Sequence, residues 1–134
     1  MKLERTAPIV CSGITMWDPL KHWGFTTPQN GKKTIGIVGV GGLGTMGIKL
    51  AKALGHDVVA ISSSDKKEKL AFEKGATHFV NMKSEESRKA CAKKCNIILN
   101  TVSASHDLNV YLPLLATSGI LVQIGACITP HPVN

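Results

Sequence analysis

At 134 residues and 43% hydrophobic content, the chain is sized for a single domain that can bury a real core. No apolar run approaches the roughly 20 residues of a membrane span, and the opening MKLERTAPIV lacks the long apolar segment of a secretory leader, so a soluble, cytoplasmic protein with no membrane partner is expected. The net charge of +7 admits nucleic acid or a phosphorylated small molecule, but the lysines between Lys66 and Lys94 are mixed with Glu68, Glu73, Glu85 and Glu86 as on solvated helix faces, and no aromatic residues are interleaved for base stacking; nucleic acid is not the expected partner.

In chain order, Pro8, Ile9, Val10, Cys11, Ile14, Met16 and Trp17 suggest a short buried helix or apolar segment, broken at Asp18-Pro19. Trp23, Gly24 and Phe25 follow, then a polar linker, TTPQNGKK, with turn signals at Pro28 and Asn30-Gly31. Residues 1–30 therefore read as a lead-in, and residues 31–134 as the main domain. The apolar run Ile35, Ile37, Val38 and Val40 predicts a first strand. Glycines crowd in at Gly39, Gly41, Gly42 and Gly44, and helical spacing follows with Met46, Leu50 and Leu54, closing at Gly55.

Further strands are predicted at Asp57 to Ile61, His78 to Val80, Asn96 to Val102 and Gly119 to Ile124. Helices are predicted from an Asp65 cap to Lys74, from Ser84 to Lys94, and from Asp107 to Ala116, where Pro113 forces a kink or a late start. The tail CITPHPVN reads as loop. Strict alternation of five strands with helices predicts an α/β, doubly wound parallel sheet of the Rossmann type with helices on both faces. Its ligand crevice lies at the carboxyl ends of the strands, where Gly39–Gly44, Ser62–Ser64, Thr101–Ser103 and Gly125–Cys127 converge.

Gly39-x-Gly41-x-x-Gly44 between a strand and a helix is the dinucleotide fingerprint in its proper setting. The glycines permit a sharp turn and close approach to a pyrophosphate, and the helix N-terminus supplies free N–H groups and partial positive charge. The second strand ends in Ser62, Ser63 and Ser64, followed by Lys66 and Lys67, where an acidic residue would hold the ribose hydroxyls of NAD. Hydroxyls and lysines suit a 2′-phosphate, which favours NADP. The four cysteines, Cys11, Cys91, Cys95 and Cys127, include no C-x-x-C pair and are expected to be reduced. His22, His56, His78, His106 and His131 have no metal spacing and are expected at the surface or in loops.

The segments APIVCSGITMWDPLKHWGF, GVGGLGTMGIKLAKALGHDVVAISSSDKKEKL, ILNTVSASHDLNVYLPLL and GILVQIGA resemble the zinc-containing medium-chain alcohol dehydrogenases, and most of all their cinnamyl-alcohol-dehydrogenase-like, NADP-dependent branch. The resemblance implies that Cys11 matches a ligand of the catalytic zinc and that Thr15 lies near the nicotinamide. It implies that Gly39, Gly41, Gly42, Leu43 and Gly44 form the pyrophosphate turn, and that Ser62, Ser63 and Lys67 hold the 2′-phosphate. Thr101, Val102, Gly125 and Ala126 would line the cofactor. Thr45 departs from the branch, which usually has His there.

The family's other zinc ligands, its proton relay and a sixth strand have no counterpart in these residues. The resemblance therefore implies a cofactor domain of a longer enzyme, with residues 1–30 a remnant of the catalytic domain. It implies NADP(H) binding, no catalytic residue in this chain, Cys11 without zinc, and an alcohol or aldehyde substrate only for the full-length enzyme. A non-catalytic NADPH-binding or redox-sensing module is the alternative, and a homodimer through the open sheet edge is a further expectation.

Overall fold

The computed structural model describes residues 3–27 and 31–130. The turn expected at Pro28 and Asn30, and the loop at 131–134 with His131, lie outside the described residues. The elements in order are α1 (Leu3–His22), β1 (Thr34–Val38), α2 (Gly42–Ala53), β2 (Asp57–Ser62), α3 (Glu68–Lys74), β3 (His78–Asn81), α4 (Glu85–Ala90), β4 (Cys95–Asn100) and β5 (Leu115–Gln123). Short 3-10 turns occupy Asp65–Lys67 and Leu108–Leu114. The five strands form one parallel sheet in the order β3-β2-β1-β4-β5, with Val38 level with Ile61 on one side and Asn100 on the other. This is the doubly wound sheet expected, and the strand order reverses between β1 and β4.

Strand alternation divides the core between two faces. Ile35, Ile37, Val58, Ala60, Ile97 and Leu99 point to the first, where α1, α2 and α3 contribute Met16, Leu20, Ile48, Ala51 and Ala71. Val38, Val59, Ile61, Val80 and Ile98 point to the second, with Tyr111 and Leu114 from the 3-10 turn before β5. The buried face of α2 is Gly44, Gly47, Ile48 and Ala51, and the Met46, Leu50, Leu54 row packs more loosely at its flank. Small residues on that face let Met16 of α1 and Ile37 of β1 close onto Gly47.

Several boundaries differ from the expectation. α1 does not stop at Asp18-Pro19; it runs through Pro8 and Pro19 to His22. Met16 and Leu20, on either side of that pair, are both fully buried. Their packing outweighs the one N–H that Pro19 withholds, and Trp23 N–H donates to the Pro19 carbonyl to close the last turn. The upstream apolar residues are not buried: Ile9, Val10 and Ile14 are exposed, as is Cys11.

Ser64, not Asp65, caps the turn that leads into α3, its hydroxyl accepting from Lys66 N–H. Gly75 closes α3 in a left-handed conformation as expected. α4 ends at Ala90 rather than Lys94, because Lys93 takes φ 56° and reverses the chain. The helix expected at Asp107 is a 3-10 turn capped by Asp107, consistent with Pro113 lacking an N–H. β5 begins at Leu115, four residues early, and carries an irregularity where Ser118 adopts φ 60° and the register against β4 shifts.

His56 is buried, not at the surface. Its Nδ1 accepts from Lys33 N–H at 3.1 Å and its Nε2 donates to the Phe25 carbonyl at 2.6 Å. These two bonds fix the Nε2–H tautomer and clamp the end of the lead-in segment to the start of β1. His56→Ala removes both bonds from a buried side chain and should cost about 2 kcal/mol in urea unfolding. A loss below about 0.5 kcal/mol would show that the clamp contributes nothing to folding.

Candidate functional site: a phosphate-binding corner at the strand-order reversal

β1 is buried on both faces, and its chain must turn at once into α2. Gly39 does this at φ +89°, a conformation that side chains rarely adopt, with its N–H on the Ile61 carbonyl. A Cβ there would also sit 2.8 Å from Thr101 Oγ1. Gly44, one turn into α2, lies so close to β1 that a Cβ would overlap the Gly39 carbonyl. That contact draws the helix N-terminus onto the end of β1. By contrast, a Cβ at Gly41 or Gly42 would meet nothing within 4 Å. The corner is therefore tight inside and bare outside.

The bare side carries the electrostatics. Gly41 caps α2 without any side-chain hydrogen bond, and the first turn has no acidic residue. The N–H groups at the start of a 12-residue helix thus face outward unpaired by a cap. Thr45, at the position where His was expected from the resemblance, turns its hydroxyl back onto the Gly41 and Gly42 carbonyls at 2.8 and 3.0 Å. It presents no free donor to a ligand.

Beside the corner lies a cavity of about 210 Å³. Gly39, Ser62, Ser63 and Val102 line it, so three of the four predicted strand ends meet in one space; Met82, His106 and Tyr111 complete the wall. The fourth strand end joins through Gly125, where a Cβ would overlap the Val102 carbonyl. Ala126 follows and is exposed. Thr101 serves the frame: its N–H and hydroxyl both donate to the Val38 carbonyl, at 3.0 and 2.7 Å, locking β4 to β1 where the strand order reverses. Leu43 is half-buried against the first-face core.

The groups after β2 are arranged with few negative charges free. The Ser62 hydroxyl meets the Ser64 backbone at 3.2 Å, holding the loop in a tight turn. Asp65, the one carboxylate in the segment, accepts from Asn81 Nδ2 at 2.6 Å and is drawn toward β3. Lys66 and Lys67 remain exposed on the 3-10 turn.

A polar network that sequence reading did not find braces the far wall. Asn100, fully buried at the end of β4, donates from Nδ2 to His106 Nε2 at 2.9 Å and to Gln123 Oε1 at 2.6 Å. His106 Nδ1–H then donates to the Ala104 carbonyl at 2.6 Å, and Gln123 Nε2 donates to the Gly125 carbonyl at 2.7 Å. His106 stands edge-on to Tyr111, whose phenol is pushed up in pKa by burial. A single polar residue closing each of β4 and β5 was the available signal, but nothing local pairs them across 23 positions.

Lys67 is not part of this cavity's lining, and two further predicted residues lie outside it on α1. Thr15 is on α1, its hydroxyl donating to the Cys11 carbonyl at 2.7 Å. Cys11 is one turn earlier, exposed. Among the described residues no three His, Cys, Asp or Glu side chains gather to hold a metal ion, and the described residues do not fit a zinc centre.

Residues 42–134 match the family model described as zinc-binding dehydrogenase. The chain belongs to that family. A probable cinnamyl alcohol dehydrogenase 2 of Picea abies is 44% identical over 135 residues, covering all of this chain and 36% of that relative. Among solved structures, a cinnamyl alcohol dehydrogenase of Sorghum bicolor superposes with a TM-score of 0.91 at 36% identity, covering all of this chain and 37% of that one. The Helicobacter pylori enzyme, solved with NADP(H), superposes with a TM-score of 0.78 at 33% identity, covering 96% of this chain and 36% of its own. The likeness to the cinnamyl alcohol dehydrogenase branch stands, and this dehydrogenase domain spans just over a third of its relatives' length. No helix among its described residues is long and apolar enough to cross a membrane.

Proposed function

We propose that this chain is the cofactor domain of an NADP-dependent alcohol dehydrogenase, and that it binds NADP(H) through the corner at Gly39–Gly44. The observation that carries the reading is the bare N-terminus of α2, held against β1 by Gly44 with open space over Gly41 and Gly42. Backbone N–H groups from Gly41 to Gly44 would take the diphosphate, and the cavity of Ser62, Ser63, Val102 and Tyr111 would take the adenosine half.

Preference for NADP over NAD rests on charge. Ser62, Ser63 and Lys67 offer donors and a positive charge to a 2′-phosphate, and Asn81 keeps the Asp65 carboxylate engaged on the β3 side. A bound nicotinamide would supply or accept a hydride; an alcohol–aldehyde reaction of that kind would belong to a longer protein of which residues 1–30 are a catalytic-domain remnant. Within this chain Thr101 and the Asn100–His106–Gln123 network orient the strand ends. No side chain here is assigned a proton-transfer role, so binding without turnover is expected.

Calorimetric titration of the 134-residue chain with NADPH and with NADH tests this. NADPH should bind at least about tenfold more tightly, a difference of roughly 1.4 kcal/mol. Equal affinities would remove the 2′-phosphate assignment, and steady alcohol oxidation by this chain alone would overturn the claim of binding without turnover. The alternative, a non-catalytic NADPH-binding module, shares the binding result and differs in having no longer enzyme to serve.

A further inference from the structure

On the second face of the sheet, away from the glycine corner, β2, β3 and the end of α4 enclose a cavity of about 230 Å³. Val59, Phe79, Val80 and Ala90 give it an apolar side, and Thr34, Asp57, His78, Cys91 and Lys94 also line it. Cys91 is the residue that ends α4, and the chain then reverses through Lys93 at φ 56° into Cys95, the first residue of β4. Two backbone bonds hold that reversal, Lys93 N–H to the Pro113 carbonyl at 2.9 Å and Lys94 N–H to the Leu114 carbonyl at 3.1 Å. The result places both cysteines in one buried cluster, with Cys95 Sγ seated over the bare backbone of Gly36 in β1.

We propose that Cys91 and Cys95 form a thiol modification site, at which a small peroxide entering the second-face cavity oxidises Cys91 and Cys95 resolves the product to an intramolecular disulfide. In the first step the Cys91 sulfur attacks one peroxide oxygen. An S–O bond forms, the O–O bond breaks, and the departing hydroxide takes the thiol proton and leaves as water. In the second step the Cys95 sulfur attacks the Cys91 sulfenic sulfur. An S–S bond forms, the S–O bond breaks, and the Cys95 proton leaves with the hydroxyl as a second water. The two thiols lose two electrons and two protons, and one peroxide becomes two waters.

The roles follow from position. Cys91 lines the cavity and Cys95 is fully buried behind it. The hydrogen bond donated by the Cys95 thiol, helped by the Lys94 charge, holds the Cys91 pKa below the usual thiol range against the opposing effect of burial; the same bond and burial push Cys95 up. Cys11, exposed on α1, and Cys127, whose sulfur meets the Thr129 hydroxyl at 3.6 Å, are not arranged as a pair. A disulfide needs the sulfurs at about 2 Å, so the two side chains must close on each other within the one buried cluster they share.

The test treats the 134-residue chain with hydrogen peroxide, blocks remaining thiols and maps the cysteine peptides by mass spectrometry. The Cys91–Cys95 link should form at least about tenfold faster than any oxidation product of Cys11 or Cys127. In Cys95→Ser the reaction should halt at a Cys91 sulfenic acid that a cyclic 1,3-dione captures; in Cys91→Ser the buried Cys95 should stay a thiol. If Cys11 or Cys127 oxidises first while the pair stays reduced, or if Cys95→Ser yields no adduct at Cys91, the proposal is overturned. Mapping of the unsubstituted chain decides it even where a variant fails to fold.

Discussion

Gly44→Ala should unfold the domain more readily than any other single methyl added to the glycine corner. The new Cβ overlaps the Gly39 carbonyl, a backbone atom held by β1 and unable to rotate away. The helix must therefore lift off the strand, and the expected cost is about 3 kcal/mol, the upper end of overpacking in a rigid interior. For a domain of this size that lowers the melting temperature by about 10 °C. NADPH binding should fall with it, because the amides leave their position even in molecules that stay folded. Gly41→Ala is the control. Its Cβ meets nothing within 4 Å and its backbone is extended, so melting should be unchanged while NADPH binding weakens roughly tenfold from the methyl in the diphosphate's path. Scanning calorimetry and titration on the two variants separate the frame from the ligand surface; equal melting temperatures for both would contradict the packing assigned to Gly44.

Ser62→Asp should reverse the cofactor preference. Ser62 closes β2 and lines the cavity, where an added carboxylate would face the 2′-phosphate of NADP and the ribose hydroxyls of NAD. Repulsion between like charges at close range in a half-buried site is worth a few kcal/mol, so NADPH affinity should drop about 100-fold, roughly 2.7 kcal/mol, while NADH affinity rises. The loss for NADPH should shrink at high salt. An unchanged NADPH-to-NADH ratio would mean that the 2′-phosphate sits elsewhere.

The corner and the sheet were readable because their causes are local. A buried parallel strand is a short apolar run, a left-handed turn and a close helix approach require glycine, and both signals fall within Thr34–Ala53. The parallel, doubly wound sheet followed from alternation alone. Features that failed to show are those set by distant partners. α1 passes Pro19 because Met16 and Leu20 are anchored on α2 and the sheet. β5 begins at Leu115 because it can pair there with Cys95. His56 gives no periodic signal, and its clamp on Phe25 and Lys33 exists only once three segments meet. The Asp65–Asn81 bond likewise joins the 3-10 turn after β2 to the end of β3, 16 residues apart, and draws the one carboxylate of SSSDKK toward β3.

Backbone amide shifts on addition of NADPH test most directly whether bare N–H groups at the start of α2 receive a diphosphate. The largest displacements in a nitrogen–proton correlation spectrum should fall on Gly41, Gly42, Leu43 and Gly44, with smaller ones at Ser62 and Val102. Saturation with NADPH that leaves those four amides unmoved while others shift would place the ligand elsewhere and contradict the reading of this corner.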